Sequence, residues 1–257
     1  MRVCVLASGS QGNALYIESD ESRILIDAGL SGRELARRLA LIGVEADDLD
    51  AIFVTHEHQD HCRGLGAMAR RHHLPVFAHE ATLKALPRLG RVSDIREFDV
   101  GDHVDFRDIQ VRSFPVTHDA ASPVGFTIET TAGKIGMATD LGIPTRLVAD
   151  RLRECRVLVI ESNHDEKMLR DGPYPWHLKE RIRSTHGHLS NGASAGLLDQ
   201  LAWPGLDMVF LAHLSEQNNC PDLAGQTARE VVDAGNLCRP RIEVAGQHQV
   251  STCFRFT

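Results

Sequence analysis

Residues 56–61 read His56-Glu57-His58-Gln59-Asp60-His61 and stand directly behind the apolar run Ala51-Ile52-Phe53-Val54. A short apolar run of that kind reads as a buried strand, so the string occupies a loop at a strand end. Three imidazoles and the Asp60 carboxylate are thereby confined to six residues. Imidazole nitrogen and carboxylate oxygen suit borderline transition metals such as zinc, manganese or iron. Four such groups are too many for one ion that keeps an open coordination position, so the string implies two adjacent divalent ions. A binuclear site needs further ligands, and three residues occupy matching positions. His118 follows Phe114-Pro115-Val116-Thr117, Asp140 follows Ile135-Gly136-Met137-Ala138-Thr139, and His213 follows Met208-Val209-Phe210-Leu211-Ala212. Taken singly, a His behind a strand can be an ordinary polar residue, and Asp140 can cap a turn or the helix beginning near Pro144. Together they would converge at one edge of a rigid scaffold.

The H-x-H-x-D-H string behind a strand, followed by those three residues in that order, resembles the signature of the metallo-β-lactamase superfamily. The resemblance implies an α+β fold, a four-layer αββα sandwich. It also implies a ligand set: His56, His58 and His118 on one ion, Asp60, His61 and His213 on the other, with Asp140 bridging. Four further segments are similar to the YycJ-like (WalJ-like) exonuclease branch, itself related to ribonuclease Z and the PhnP-like phosphodiesterases. They are Ala7-Ser8-Gly9-Ser10-Gln11-Gly12-Asn13, Glu161-Ser162-Asn163-His164-Asp165, Gly187-His188-Leu189-Ser190-Asn191 and His213-Leu214-Ser215-Glu216-Gln217-Asn218-Asn219. What this branch implies is a metal-dependent phosphodiesterase, a 5′→3′ exonuclease on DNA, with a metal-activated water as nucleophile. Asp60, His188 and Glu161 are then the catalytic candidates, His188 protonating the leaving oxygen and Glu161 orienting it. The chain departs from the ribonuclease Z pattern in placing Leu189 between His188 and Ser190.

The same segments have a reading in their own chemistry. Ser8 to Asn13 is a small-residue loop whose N–H groups and hydroxyls can approach a phosphate closely, or a plain turn between two strands. Ser10 and Asn13 are its substrate-contact candidates. Ser190 and Asn191 stand where a helix starts, as a cap or as an anion-binding helix terminus. His164 is a substrate contact or a surface histidine, and Asn218 joins the substrate-contact candidates.

Length and charge bound the remaining possibilities. The chain has 257 residues, without a linker or low-complexity tract, and is expected to form one domain over 1–257. No apolar run approaches a membrane span, and the start is too short in its apolar part for a secretory signal. The six cysteines are scattered without C-x-x-C, which favours reduced thiols and a cytoplasmic protein over a disulfide framework. Cys62, beside His61, reads as a space-filling residue rather than a ligand. The net charge of −7 does not advertise nucleic acid, although two divalent cations would place positive charge where a phosphate sits. Arg33, Arg37 and Arg38, Arg70 and Arg71, and Lys179, Arg181 and Arg183 are local basic candidates that read as solvated faces; Tyr174 and Trp176 are the aromatic ones. Competing chemistries on such a site are thiolester hydrolysis of the glyoxalase II type, small cyclic-phosphodiester hydrolysis, and a mono-iron persulfide dioxygenase.

Hydrophobic periodicity predicts strands near 2–7, 14–18, 23–28, 51–55, 75–79, 157–161, 208–212 and 252–256, with antiparallel strands through 96–140. Helices are expected near 31–42, 64–72, from 80, and near 145–152, 175–184, 191–201 and 222–235.

Overall fold

The computed structural model describes residues 1–86 and 89–256. Its first half runs β1 (Arg2–Ala7), β2 (Ala14–Glu18), β3 (Arg23–Ile26), α1 (Gly32–Leu41), β4 (Ala51–Phe53), α2 (Gln59–Cys62), α3 (Leu65–Arg71), β5 (Val76–Ala78), α4 (Glu80–Ala85) and β6 (Ile95–Glu97). The second begins with the meander β7 (His103–Phe106), β8 (Ile109–Pro115), β9 (Val124–Thr130) and β10 (Gly133–Ala138). It continues with α5 (Arg146–Leu152), β11 (Val157–Glu161), α6 (Glu166–Asp171), α7 (Trp176–Arg183), α8 (Asn191–Leu201), β12 (Met208–Ala212), α9 (Pro221–Gly235), β13 (Arg241–Val244) and β14 (Phe254–Arg255).

Two mixed sheets result, ordered β14-β1-β2-β3-β4-β5-β6 and β13-β12-β11-β10-β9-β8-β7. In the first, β14 through β3 are antiparallel and β3 through β6 parallel. The second repeats that plan, antiparallel from β7 to β10 and parallel from β10 to β13. The inner faces share one apolar layer in which Phe53 stacks on Phe77 at 4.4 Å and meets Phe106 and Phe126 edge-on. The outer face of the first sheet is covered by α1 and α3, through Leu35, Leu39, Leu65 and Met68. That of the second is covered by α5, α8 and α9, through Val148, Leu152, Leu197, Leu201 and Val232. This is the αββα sandwich expected of the sequence. Each sheet is apolar on both faces and so buries both.

The plan positions chemistry because parallel strands deliver their carboxyl ends to one rim. Asp27 follows β3, the His56–His61 loop follows β4, Asp140 follows β10, Glu161 ends β11 and His213 follows β12. Asp27, Asp140 and His213 all turn at positive φ, 64°, 54° and 56°. Non-glycine residues seldom adopt that conformation, and here it bends the chain off the strand and into the rim. The His56–His61 loop is pinned by backbone bonds, Asn13 N–H to Asp60 O (2.7 Å) and Ala28 N–H to His61 O (2.8 Å). Gly29 must be glycine beside it, since a Cβ there would lie 1.7 Å from the Asp60 carbonyl oxygen.

Besides the short helix α2 inside the string expected to be loop, three features differ from the sequence reading. α6 has only Leu169 buried and so carries no apolar periodicity, while β13 is an edge strand with an exposed arginine at its start. The third concerns the thiols. Cys4 and Cys253, expected to be reduced, form a disulfide across β1 and β14. The register Val3↔Phe254 sets them directly opposite, with Cα atoms 4.5 Å apart, the spacing of a non-hydrogen-bonded antiparallel pair. A separation of 249 residues conceals that pairing in the sequence. Cys62, Cys155, Cys220 and Cys238 remain thiols. Alkylation of unfolded, unreduced protein should therefore label these four and leave the peptides of Cys4 and Cys253 linked in the mass spectrum. Six labelled cysteines would contradict the bridge.

Candidate metal centre

The rim gathers the residues singled out in sequence. His56, His58 and His118 offer ligand atoms within 4.8 Å of one another, as do Asp60, His61 and His213. Asp140 sits between the triads, its Oδ2 3.1 Å from His61 Nε2 and its Oδ1 3.6 Å from both His118 Nε2 and His213 Nε2.

Acceptors behind the rings fix which nitrogen His56, His61, His118 and His213 can offer. His61 Nδ1 donates to Asp27 Oδ2 at 2.7 Å, and His213 Nδ1 to Glu161 Oε1 at 3.0 Å. Thr55 Oγ1 donates to Asp27 at 2.8 Å and therefore accepts from His56 Nδ1 at 3.0 Å. His118 Nδ1 donates to the Gly187 carbonyl at 3.3 Å. Each arrangement leaves Nε2 with a lone pair facing the cluster, the tautomer a metal ligand needs.

The donor set fits divalent ions on one specific observation. His56 Nε2 and Asp140 Oδ2 are buried with no hydrogen-bond partner. A buried imidazole nitrogen and a buried carboxylate oxygen left without partners are the atoms a cation would satisfy. The electrostatics agree. Burial pushes His56 far below the ordinary imidazole range, helped by the neighbouring His61 charge. Burial acts the same way on His61 and His213, but the Asp140 carboxylate, with Asp27 beside His61 and Asp60 and Glu161 beside His213, outweighs it and holds both well above that range. Without ions these two rings carry protons, so ion binding displaces protons and tightens as pH rises.

His188 belongs to neither triad but lies against them, its Nδ1 3.7 Å from Asp140 Oδ1 and its ring 5.2 and 5.1 Å from those of His118 and His213. Its Nδ1 donates to Glu161 Oε1 at 2.8 Å, leaving Nε2 for the cleft. Glu161 is fully buried; burial raises its pKa, but His188 and His213 pull it down to about 2, so it stays ionised. The loop carrying His188 is packed to contact. A Cβ on Gly142 would lie 2.2 Å from Thr185 O, and one on Gly187 2.1 Å from Ile182 O.

Against this geometry the comparisons with known proteins are decisive. The model of the β-lactamase superfamily domain matches residues 22–213. The chain belongs to the β-lactamase superfamily. Within the superfamily it is 40% identical over 232 residues to the exodeoxyribonuclease YycJ of Bacillus anthracis, covering 89% of this chain and 88% of that one. It is 38% identical over 228 residues to the exodeoxyribonuclease WalJ of Streptococcus pneumoniae, covering 87% and 85%. The expected branch is thus the one matched. The solved metallo-β-lactamase-fold protein YhfI of Bacillus subtilis superposes with a TM-score of 0.75 at 15% identity, covering 97% of this chain and 98% of that one. Human tRNase Z, short form, gives 0.68 at 16% identity, covering 98% and 99%. Both superpositions speak to the superfamily fold alone.

Not every substrate-contact candidate reaches the cleft. Ser10 does, lining a cavity with His118, His188 and His213. Asn13 is buried instead, its Nδ2 3.2 Å from Asp60 Oδ2 and 3.0 Å from His61 Nε2, so it positions ligands. Asn191 is buried in a network with Ser162 and Asn219, and Asn218 is wholly buried against Gly172. These three are corrected from substrate contacts to internal residues: Asn13 bonds the Gly9 backbone, Asn191 bonds neighbouring side chains, and Asn218 is enclosed without a partner. Ser190 caps α8 through Ala193 N–H and donates to Glu166. His164 lines a second cavity. Cys62 gives its thiol to the His56 carbonyl at 3.1 Å, and burial pushes its pKa up, away from thiolate ligation.

Asp27 was missed, absorbed into the strand expected over 23–28. A signal existed: Asp27-Ala28-Gly29-Leu30 and Asp140-Leu141-Gly142-Ile143 share one pattern, each behind the central, fourth strand of its sheet. Asp27→Asn removes the charge that aligns His61 and should weaken the Asp60, His61 and His213 site by about 10–100-fold. Chelator competition, with metal counted per chain, measures this. Asp140→Ala should lower occupancy of both triads.

Proposed function

We propose that this protein is a metal-dependent phosphodiesterase acting as an exonuclease on DNA, with two divalent ions, manganese or zinc, held by His56, His58 and His118 and by Asp60, His61 and His213, and with Asp140 between them. Such ions supply Lewis acidity and bring water to a reactive protonation state near neutrality. The remaining work falls to the chain. Glu161 holds His188 so that Nε2 faces the cleft, where a protonated ring delivers its proton to the leaving oxygen. Asp27 and Glu161 keep His61 and His213 aligned, and Asn13 keeps Asp60 in place.

The observation that carries this reading is the His188–Glu161 pair beside the triads. An alkoxide leaving from a phosphodiester is strongly basic and gains from protonation. A thiolate, near pKa 8.5, departs readily without it, so a positioned general acid favours phosphodiester over thiolester chemistry. Two triads flanking one carboxylate likewise favour a binuclear hydrolase over a mono-iron oxygenase. DNA is preferred as substrate because YycJ and WalJ, similar over most of the chain, bear the name exodeoxyribonuclease. We place such an enzyme in the cytoplasm, where cellular DNA is met; among the described residues no helix is long and apolar enough to cross a membrane.

His188→Ala should leave metal content intact and lower kcat on DNA by about 10²-fold or more, the usual worth of general-acid help. On a nitrophenyl phosphodiester, whose leaving oxygen departs with little protonation, the loss should shrink toward nothing. Equal losses on both substrates, or a missing metal, would return His188 to the coordination or binding shell.

A further inference from the structure

Two segments, residues 8–13 and 246–253, meet behind the Asp60, His61 and His213 triad, and both lie outside the stretch matched by the superfamily domain, 22–213. Ser8 Oγ accepts the backbone N–H of His213 at 2.7 Å. Asn13 N–H donates to Asp60 O at 2.7 Å, and the Asn13 carboxamide that faces Asp60 and His61 is locked by two bonds to Gly9, at 2.9 and 3.0 Å. The first segment therefore positions all three members of that triad. Among the described residues, neither segment bonds His56, His58 or His118.

The second segment holds the first in shape. Gln247 is buried; its Oε1 accepts from Gln11 N–H at 2.7 Å and its Nε2 donates to Gly12 O at 3.0 Å. A Cβ on Gly9 would lie 2.5 Å from Gln247 Oε1, so this carboxamide fills the hollow of the loop. Ser8 N–H donates to Gly246 O at 3.2 Å, and the buried Arg38 donates to both Leu6 O and Gln247 O, at 2.8 and 2.9 Å. Farther along, Ser251 exchanges two 2.9 Å bonds with the Val5 backbone. Beyond it β14 pairs with β1 at two positions only. Pairing that short holds weakly by itself. The Cys4–Cys253 bridge is the covalent fastening.

Resting on the two-ion reading above, we propose that residues 246–253 are a redox-released clasp on the Asp60, His61 and His213 site, with Gln247 as its positioning residue. While the bridge is closed, Gln247 keeps the 8–13 loop folded over the ligands. Reduction by a dithiol opens it. Cys4 is fully buried and Cys253 only partly, so the dithiol's thiolate attacks Cys253 Sγ. The Cys4–Cys253 bond breaks with its electron pair going to Cys4 Sγ, which takes up a proton. The second thiol of the reductant then displaces Cys253 in the same way, and the reductant departs as a disulfide, having given two electrons and two protons. In the compartment proposed above, where thiols are kept reduced, a disulfide is ordinarily transient and redox-sensing. The consequence is selective: the ion at Asp60, His61 and His213 is loosened, and the one at His56, His58 and His118 is not.

The test takes full-length, manganese-loaded protein with the bridge closed, the same protein reduced with a phosphine, and Cys253→Ser. Metal per chain is counted during chelator competition, and amide hydrogen exchange is followed in parallel. Reduction should lower the chelator concentration that removes one ion by about tenfold or more, the usual worth of a group that orients ligands, and leave the other ion in place. Exchange should quicken in residues 8–13 and 246–253 and stay unchanged in β8 to β12. Cys253→Ser should match the reduced protein and ignore the phosphine, which rules out chelation by the reductant. Gln247→Ala should loosen the same ion with the bridge closed, and Gln247→Glu, which keeps an acceptor for Gln11 N–H, should retain part of the hold. Metal competition unchanged on reduction, or unchanged in Gln247→Ala, would overturn the clasp. So would loss of both ions together with faster exchange throughout, which would make the bridge a general stabiliser. A bridged protein that never holds more than one ion would overturn the two-ion reading itself.

Discussion

The carboxylate of Glu161 ties the candidate site to the fold. It is fully buried, and an ionised carboxylate in such a place persists only if its lone pairs are met. Four donors meet them: Leu141 N–H at 2.7 Å, Leu189 N–H at 3.2 Å, and the Nδ1–H groups of His188 and His213 at 2.8 and 3.0 Å. Those donors come from the turn after β10, the loop before α8 and the turn after β12. One charge therefore ties three chain segments to the end of β11, and in doing so aims a candidate metal ligand and a candidate proton donor at the same cleft. Removing it would leave two imidazole N–H groups and two backbone N–H groups buried without acceptors, so its role in the fold cannot be separated from its role in the site.

Asp27 is the counterpart in the other sheet. It too is fully buried and behind a strand, and it accepts from Thr55 N–H, Thr55 Oγ1–H and His61 Nδ1–H. Each sheet thus supplies one buried carboxylate that orients imidazoles without belonging to either triad. The seven residues that resemble a ligand set are only half of the arrangement; the acceptors behind them decide which nitrogen each histidine presents.

The sequence makes the sandwich legible because β4, β11 and β12 are unbroken apolar runs and the residues behind them are His, Glu and His. Helices with strong caps, such as α1 behind Ser31 and α8 behind Ser190, also lie close to where they are expected. Long-range pairing is what a single sequence hides. Nothing local announces that Cys4 faces Cys253, that Asp27 serves His61, or that Asn218 turns inward while Ser10 turns out. Arg38 shows the same limit: on its helix it reads as one of three solvated arginines, yet it is 5% exposed and bonds the Leu6 and Gln247 carbonyls. Asn13, Asn191 and Asn218 show it too, because a polar residue near the motif looks the same whether it faces inward or toward a ligand.

A net charge of −7 bears on how such a site meets a polyanion. Nonspecific affinity for DNA grows with the number of phosphates a basic surface neutralises, and an acidic surface forgoes it. Positive charge here is local instead: the ions the rim is built to hold, and Arg170 and Arg183 at its edge. Arg37 and Arg38, by contrast, are bound up with Glu34 at 2.7 and 2.8 Å. With a net negative charge overall, attraction for a phosphate has to come from such local groups. The acidity of the chain is therefore no argument against a nucleic-acid substrate.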